Sequence, residues 1–243
     1  MIYFEALTRN ISLRVLLSNK ASIFAAKLRS LALGKKIFLI RHGQTDYNLN
    51  GIVQGSGVNA PLNDSGVEQA RSFFEFYRDQ AFERVYTSAL LRTHQTVSSF
   101  IDAGTPWEIL PELNEISWGK HEGKKISPEE DAYYHWLMKQ WQDGNTHIGI
   151  EGGESPDEVA IRLQLGLERI MKGREEKVLV CMHGRAMRIM LCVMLNYPIK
   201  SMDLFEHSNL CLYTLNHSGS MFTIETNNSV EHLKAGRASL KFT

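Results

Sequence analysis

Two short apolar runs in this chain end in the same dipeptide. Ile37-Phe38-Leu39-Ile40 passes through Arg41 into His42-Gly43, and Val178-Leu179-Val180-Cys181-Met182 passes straight into His183-Gly184. A continuous apolar run of this length, with no alternation of polar residues, predicts a strand buried on both faces, as in a parallel sheet. In open α/β sheets, ligands bind at the carboxyl ends of the parallel strands. Two strands that both deliver His-Gly to that end make these histidines better candidates for chemistry than the other seven. Each following glycine lets backbone and ligand approach closely.

Between the runs, Arg84-Val85-Tyr86-Thr87-Ser88 predicts a third strand, and helices are expected over residues 67–77, 89–101 and 157–171. Asn63-Asp64-Ser65-Gly66 carries capping chemistry before the first of them. Strands alternating with helices predict a three-layer α/β/α sandwich with a mostly parallel sheet. Residues 211–215 and 221–226 flank Asn216-His217-Ser218-Gly219 and predict a terminal hairpin. The stretch 123–153 breaks the rhythm. It is charged and carries Tyr133, Tyr134, Trp136 and Trp141, and it reads as a small cap insertion over the site.

The domain is expected to span 35–230, followed by a C-terminal tail over 231–243. Residues 1–34 form a basic N-terminal extension, with Arg9, Arg14, Lys20, Lys27 and Arg29 against Glu5. That segment reads as disordered or as an amphipathic helix lined by Leu13, Leu17, Phe24, Leu28 and Leu31. Its composition also resembles a transit peptide, which would make the protein organellar. The default expectation is cytoplasmic.

Composition narrows the functional classes. Lys plus Arg equals Asp plus Glu at 27 each, so no global positive excess exists to gather a nucleic-acid backbone, and no nucleic-acid partner is expected. No run approaches the roughly 20 apolar residues that span a bilayer, so no integral membrane segment is expected. Cys181, Cys192 and Cys211 are dispersed and odd in number, which fits a reducing compartment and buried thiols rather than disulfides. HExxH, paired CxxC and aspartate-rich loops are all missing, so neither a metal nor another cofactor is expected.

Arg41 stands beside the first histidine, where a guanidinium offers the planar two-pronged donor geometry that a phosphoryl group rewards. At this point a family becomes recognisable. Arg41-His42-Gly43-Gln44-Thr45 with Asn48 resembles the opening motif of the histidine phosphatase superfamily, the phosphoglycerate mutase-like proteins. Gln54-Gly55, Pro61-Leu62, Gly66 and Gln69-Ala70 are similar to its second block. The stretch 88–96 resembles the helix carrying its second arginine, Arg92. Leu113-Asn114-Glu115 with Gly119 and Glu122-Gly123 resembles its acid/base block, Gly153-Glu154-Ser155 with Arg162 the block after the cap, and His183-Gly184 the second histidine.

The resemblance implies a histidine acid-type phosphatase of the small phosphatase branch, a phosphoric monoester hydrolase. His42 would be the nucleophile, and Arg41, Arg92, His183 and Asn48 would hold the phosphoryl oxygens. Glu115 would protonate the leaving group, which calls for a carboxyl with raised proton affinity. Gln44, Thr45, Gln54, Gly55 and Gly184 would line the substrate site. The expected partner is a small phosphorylated substrate, with the protein a monomer or homodimer.

A cofactor-dependent phosphoglycerate mutase is the main alternative, and a phosphoprotein phosphatase or non-catalytic phosphate sensor the second. Lys124, Lys125 and Lys139 face Glu129, Glu130, Asp131, Asp143 and Glu151 in the cap, a poor setting for retaining a bisphosphorylated intermediate. His94 and His121 read as surface residues. His207-Ser208-Asn209 reads equally as a substrate contact or a turn.

Overall fold

A computed structural model describes residues 34–234, apart from Ile126 and the side chain of Glu129. Strand β1 (Lys35–Arg41) lies inside the sheet, parallel to β4 (Lys177–Met182) on one side and antiparallel to β5 (Leu212–His217) on the other. With β2 (Arg84–Thr87), β3 (Trp107–Ile109) and β6 (Phe222–Ser229), the order is β3-β2-β4-β1-β5-β6. The first four strands of that order run parallel, and the β5–β6 hairpin closes one edge antiparallel. The mostly parallel sandwich expected from the sequence is therefore the fold.

Neither apolar run alternates because both faces of the sheet are covered. Phe38, Ile40, Leu179 and Cys181 point into one core, under α2 (Asp64–Tyr77) and α3 (Leu91–Asp102). Ile37, Leu39, Val178, Val180 and Met182 point into the other, under α5 (Pro156–Lys172) and α6 (Gly184–Leu195), where Leu163 and Leu191 are fully buried. Each such side chain contributes roughly 1.5–3 kcal/mol on burial. All three cysteines are buried and free. Arg41 pairs with Met182 in the parallel register, so the residues that follow, His42 and His183, leave adjacent strands side by side.

Local chemistry sets the helix ends. Asn63 accepts from Gly66 N at 2.9 Å, which starts α2 at Asp64, ahead of the expected 67. The helix expected from 89 begins at Leu91, because Ala89 and Leu90 form a turn whose amides are held by Asn114 Oδ1 and Ser88 Oγ. A short α1 (Asp46–Leu49) is capped by Thr45.

The cap contains an unforeseen helix, α4 (Pro128–Asp143), started by a reciprocal Ser127/Glu130 capping box and ended by Gly144 in the left-handed region. It is anchored by Leu137 and the fully buried Trp141, whose indole N–H donates to Ile148 O at 2.9 Å. The insertion enters and leaves through one neck. Ser117 N donates to Glu154 Oε2 (2.8 Å), Glu154 N to Ser117 O (3.0 Å) and Lys120 N to Glu151 O (3.4 Å).

At the other end, the chain remains packed past residue 230. Residues 231–234 make a helical turn, and the buried His232 ring sits 5.0 Å from that of Phe73. The readings of residues 1–33 and of 235–243 lie outside the described residues. Among the described residues no helix is long and apolar enough to cross a membrane.

Candidate active site

The carboxyl ends of β1, β2 and β4 place His42, Ser88 and His183 around one buried hollow. The two histidine rings lie 5.2 Å apart between centroids, about the spacing of neighbouring strands. Nδ1 of His42 lies 2.7 Å from Gly43 O. A carbonyl only accepts, so Nδ1 carries the proton and Nε2 presents a bare lone pair. Burial first, then the charges of Arg92 and Arg41, hold the His42 pKa well below its ordinary value. The ring is neutral, with the Nε2 lone pair free.

The tautomer of His183 follows from a hydroxyl chain. Thr93 Oγ1 donates to Leu90 O (2.8 Å) and so accepts from Ser88 Oγ (3.0 Å). Ser88 Oγ then has only acceptor capacity left, which it offers to Leu90 N (3.1 Å) and to His183 Nε2 (2.7 Å). Nε2 of His183 is therefore protonated, and Nδ1 accepts from Arg92 Nε at 3.1 Å. Arg92 is fully buried, its fork aimed by the carbonyls of Val58 (2.7 Å) and Gly55 (3.3 Å). Desolvation pushes its pKa down to about 10, which leaves it charged at neutral pH.

Asn48 Oδ1 accepts from Thr45 N (3.2 Å) and Asn209 Nδ2 (3.1 Å), so its amide nitrogen is the group left to donate. Asn209 also donates to His42 O at 3.1 Å. Two neighbouring donors, Arg41 Nε and Gln54 Nε2, are buried without a partner. Buried donors left unpaired cost free energy. An oxyanion at this point, facing Arg41, Arg92 and Asn48, would relieve that cost.

Glu115 closes the opposite side, 6% exposed. It occupies the N-terminus of α6, where the first-turn amides have no partner within the helix. Oε1 accepts from Ile116 N and Ala186 N, both at 2.9 Å, and Oε2 from Arg185 N at 3.1 Å. Oε2 is thus the oxygen with a lone pair free to carry a proton. The loop is held by Arg162, which donates to the carbonyls of Glu112, Asn114 and Glu115 and pairs with Glu154 at 2.7 Å.

The structure brings Arg41, His42, Asn48, Arg92, Glu115, His183 and Gly184 together, with Gln54 and Gly55 immediately behind them. Gln44 is turned towards α2: its amide N–H bonds Gln69 and its side chain accepts from Asn63. The Thr45 hydroxyl donates to Gln54 Oε1 and caps α1, so its work is local.

His207 and Asn209 turn out to be contacts of the site's own residues, His207 Nδ1 lying 3.1 Å from Arg41 Nη1. His121, expected at the surface, has a side chain only 12% exposed, stacked on Tyr133 because the cap folds over it. His94 is half-buried against Trp107. Ser88 closes the β2 run as a small polar residue with no motif role of its own. Its signal was its place at the end of a strand adjoining β4.

The cap aromatics Trp118, Tyr133 and Tyr134 line an open hollow with Val53 and Ile150 on its walls. Among the described residues no group of three or more His, Cys, Asp or Glu is placed to hold a metal ion.

This arrangement of paired strand-end histidines, two arginines and a carboxylate coincides with a family match. Residues 37–230 match the model of the histidine phosphatase superfamily, branch 1, and the chain belongs to that superfamily. It is 28% identical over 209 residues to the protein named probable phosphoglycerate mutase GpmB of Erwinia tasmaniensis, covering 82% of this chain and 95% of that one. Among solved structures, the alpha-ribazole phosphatase of Shigella flexneri is similar with a TM-score of 0.71 at 26% identity, over 80% of this chain and 96% of the other. A mycobacterial glucosyl-3-phosphoglycerate phosphatase has the same fold, with a TM-score of 0.71 at 22% identity over 80% and 99% of the two chains.

Proposed function

We propose that the protein hydrolyses small phosphomonoesters through a phosphohistidine on His42, without a metal ion. The observation that carries this reading is the Nδ1–H of His42 on Gly43 O, which leaves Nε2 unprotonated beside Arg92 and His183. Nε2 attacks phosphorus as the P–O bond to the leaving group breaks, and Glu115 Oε2 gives that oxygen its proton. Water then attacks the phosphoryl group, Glu115 takes its proton, the N–P bond breaks and inorganic phosphate departs. Arg41, Arg92 and the Asn48 amide meet the charge on the equatorial oxygens. Removing one such donor typically costs about 3 kcal/mol of transition-state stabilisation.

The name of the Erwinia relative supports the alternative, phosphoglycerate mutase. Hydrolysis is favoured by the charge balance of the cap, where Lys124, Lys125 and Lys139 face Glu129, Glu130, Asp131, Asp143 and Glu151 and Lys139 pairs with Asp143, a poor setting for retaining a bisphosphorylated intermediate.

The test is turnover of an aryl phosphate in EDTA, with an alkaline quench to trap labelled phosphoenzyme. Wild type is expected to turn over unchanged and to trap label, and His42→Ala to do neither. Inhibition by EDTA, or label retained by His42→Ala, contradicts the mechanism. Rapid isomerisation of 3-phosphoglycerate with 2,3-bisphosphoglycerate as donor, with little phosphate release, assigns the mutase instead.

A further inference from the structure

We infer that Arg185 and Arg188, together with the free ring N–H of His207, form a subsite for a second anionic group on the leaving-group half of the substrate. The inference rests on the phosphomonoesterase reading and adds a substrate class: phosphomonoesters whose alcohol carries its own negative charge.

The first observation is the position of the two arginines. Helix α6 starts at the reaction centre, and its Arg185 amide holds Glu115, the group that faces the leaving oxygen. Arg188 follows one turn later, on the face of Gly184, since residues four apart share a face. Helical side chains lean towards the N-terminus, so Arg188 leans back towards the site.

The second observation is their shortage of partners. Both guanidiniums rest on a single oxygen, Oδ1 of Asp203, each at 2.5 Å. Two cations, Arg185 buried and Arg188 half-buried, thus share one carboxylate. The Arg185 side chain is 8% exposed and stacks over Trp141, while its Nη2 meets only the thioether sulfur of Met138 at 3.2 Å, a weak acceptor. Nε of Arg188 is buried with no partner. Buried charge is costly unless paired, and unsatisfied buried donors call for an explanation. An oxyanion that accepts from these forks supplies one.

The third wall is His207. Its Nδ1 accepts from Arg41, which puts the proton on Nε2, the nitrogen that would lie 3.1 Å from a β-carbon on Gly184. Arg41 therefore links the two anion sites: it belongs to the phosphoryl hollow and orients the donor that faces the second. Carboxylate and phosphate both satisfy such a set of donors.

The test compares Arg188→Gln with wild type on p-nitrophenyl phosphate, glycerol 3-phosphate, 3-phosphoglycerate and fructose 1,6-bisphosphate. It adds calorimetric binding of 3-phosphonopropanoate and of its carboxylate methyl ester. Wild type is expected to prefer at least one anionic substrate over glycerol 3-phosphate by ten-fold or more in kcat/KM. The substitution should cut that preference at least ten-fold, chiefly through KM. The better of the two anionic substrates tells carboxylate from phosphate.

Equal losses on all four substrates, or no preference in wild type, would overturn the subsite and leave Arg188 as a purely structural partner of Asp203. Binding separates the two readings. A ten-fold tighter grip on the free acid than on its ester, abolished by Arg188→Gln, supports the subsite even if no substrate turns over. Turnover without that difference, and without a preference for an anionic substrate, keeps the phosphatase and removes the subsite.

Discussion

The Ser88 hydroxyl, 2.7 Å from Nε2 of His183, decides which nitrogen of that ring carries the proton. Its own hydrogen is committed to Thr93, so it can only accept from the imidazole. Ser88→Ala should lower kcat about ten-fold, the equivalent of the ~1.4 kcal/mol of one buried hydrogen bond. Ser88→Thr, which restores an oxygen, should recover part of the loss. Unchanged kcat in Ser88→Ala would show that the ring is positioned by packing alone.

Glu115→Gln should slow hydrolysis of alkyl phosphates far more than aryl phosphates, because only a poor leaving group needs the proton. The steady-state rates of glycerol 3-phosphate and p-nitrophenyl phosphate give the comparison. Equal losses on both would remove Glu115 from the proton-transfer step.

Asn209 lies behind Asn48 and fixes its amide orientation. Asn209→Asp sets a carboxylate against Asn48 Oδ1, so the Asn48 amide is expected to flip and present an acceptor to the phosphoryl site. Inorganic phosphate should then inhibit about ten-fold less well, in line with the loss of a charge-assisted hydrogen bond. Product-inhibition curves that superimpose on wild type would count against this arrangement.

Activity should persist into acid. The His42 pKa is held well below its ordinary value by burial, so the ring stays neutral below pH 6.5 and the acid limb of kcat/KM should fall below pH 6.5. A His42-linked limb at or above 6.5 would mean the ring is far more solvated than its burial indicates.

Stability behaves differently. Burial pushes His232 down to about 4 among the rings of Phe73, Phe76 and Tyr77. Between about 4 and the unfolded value near 6.5, the unfolded chain binds the extra proton. Stability is therefore fully present above pH 6.5 and is lost as the pH falls through this window. The share of His232 is on the order of 3 kcal/mol. His232→Phe, placed among Phe73, Phe76 and Tyr77, should flatten the fall of Tm between pH 7 and pH 4.5. A Tm profile parallel to wild type would assign the acid sensitivity to other groups.

Much of the sheet was legible because burial on both faces leaves an uninterrupted apolar run, and the two His-Gly endings point to its carboxyl edge. Strand β3 was not, since three residues cannot display a period. Helix α4 escaped because its buried contacts come down to Leu137 and Trp141 on a charged surface, too narrow a stripe to distinguish from a loop. In the site, His42, His183, Arg92 and Glu115 could be picked out by motif and position. Asn209 shows in the sequence only as a contact or a turn, Ser88 only as a strand end, and Asp203 not at all: each acts by touching a residue some 15 to 161 positions away. No local pattern encodes that pairing. Gln44 and Thr45 follow His42 in sequence, yet their side chains bond Asn63 and Gln54, since adjacency in sequence does not keep a side chain on the same side of the backbone.

The neck between Ser117–Lys120 and Glu151–Glu154 makes the cap a detour that returns to its starting point. With its two ends tied, lengthening or replacing what lies beyond adds little closure entropy, which grows only with the logarithm of loop length. The phosphoryl donors sit at the ends of adjacent strands, and the cap reaches them through Met138 and Trp141 against Arg185, so an exchange that keeps those two contacts leaves the centre as it is. Substrate choice in such a protein is a cassette: grafting another cap at this neck should change which alcohol is released while the phosphoryl chemistry stays the same.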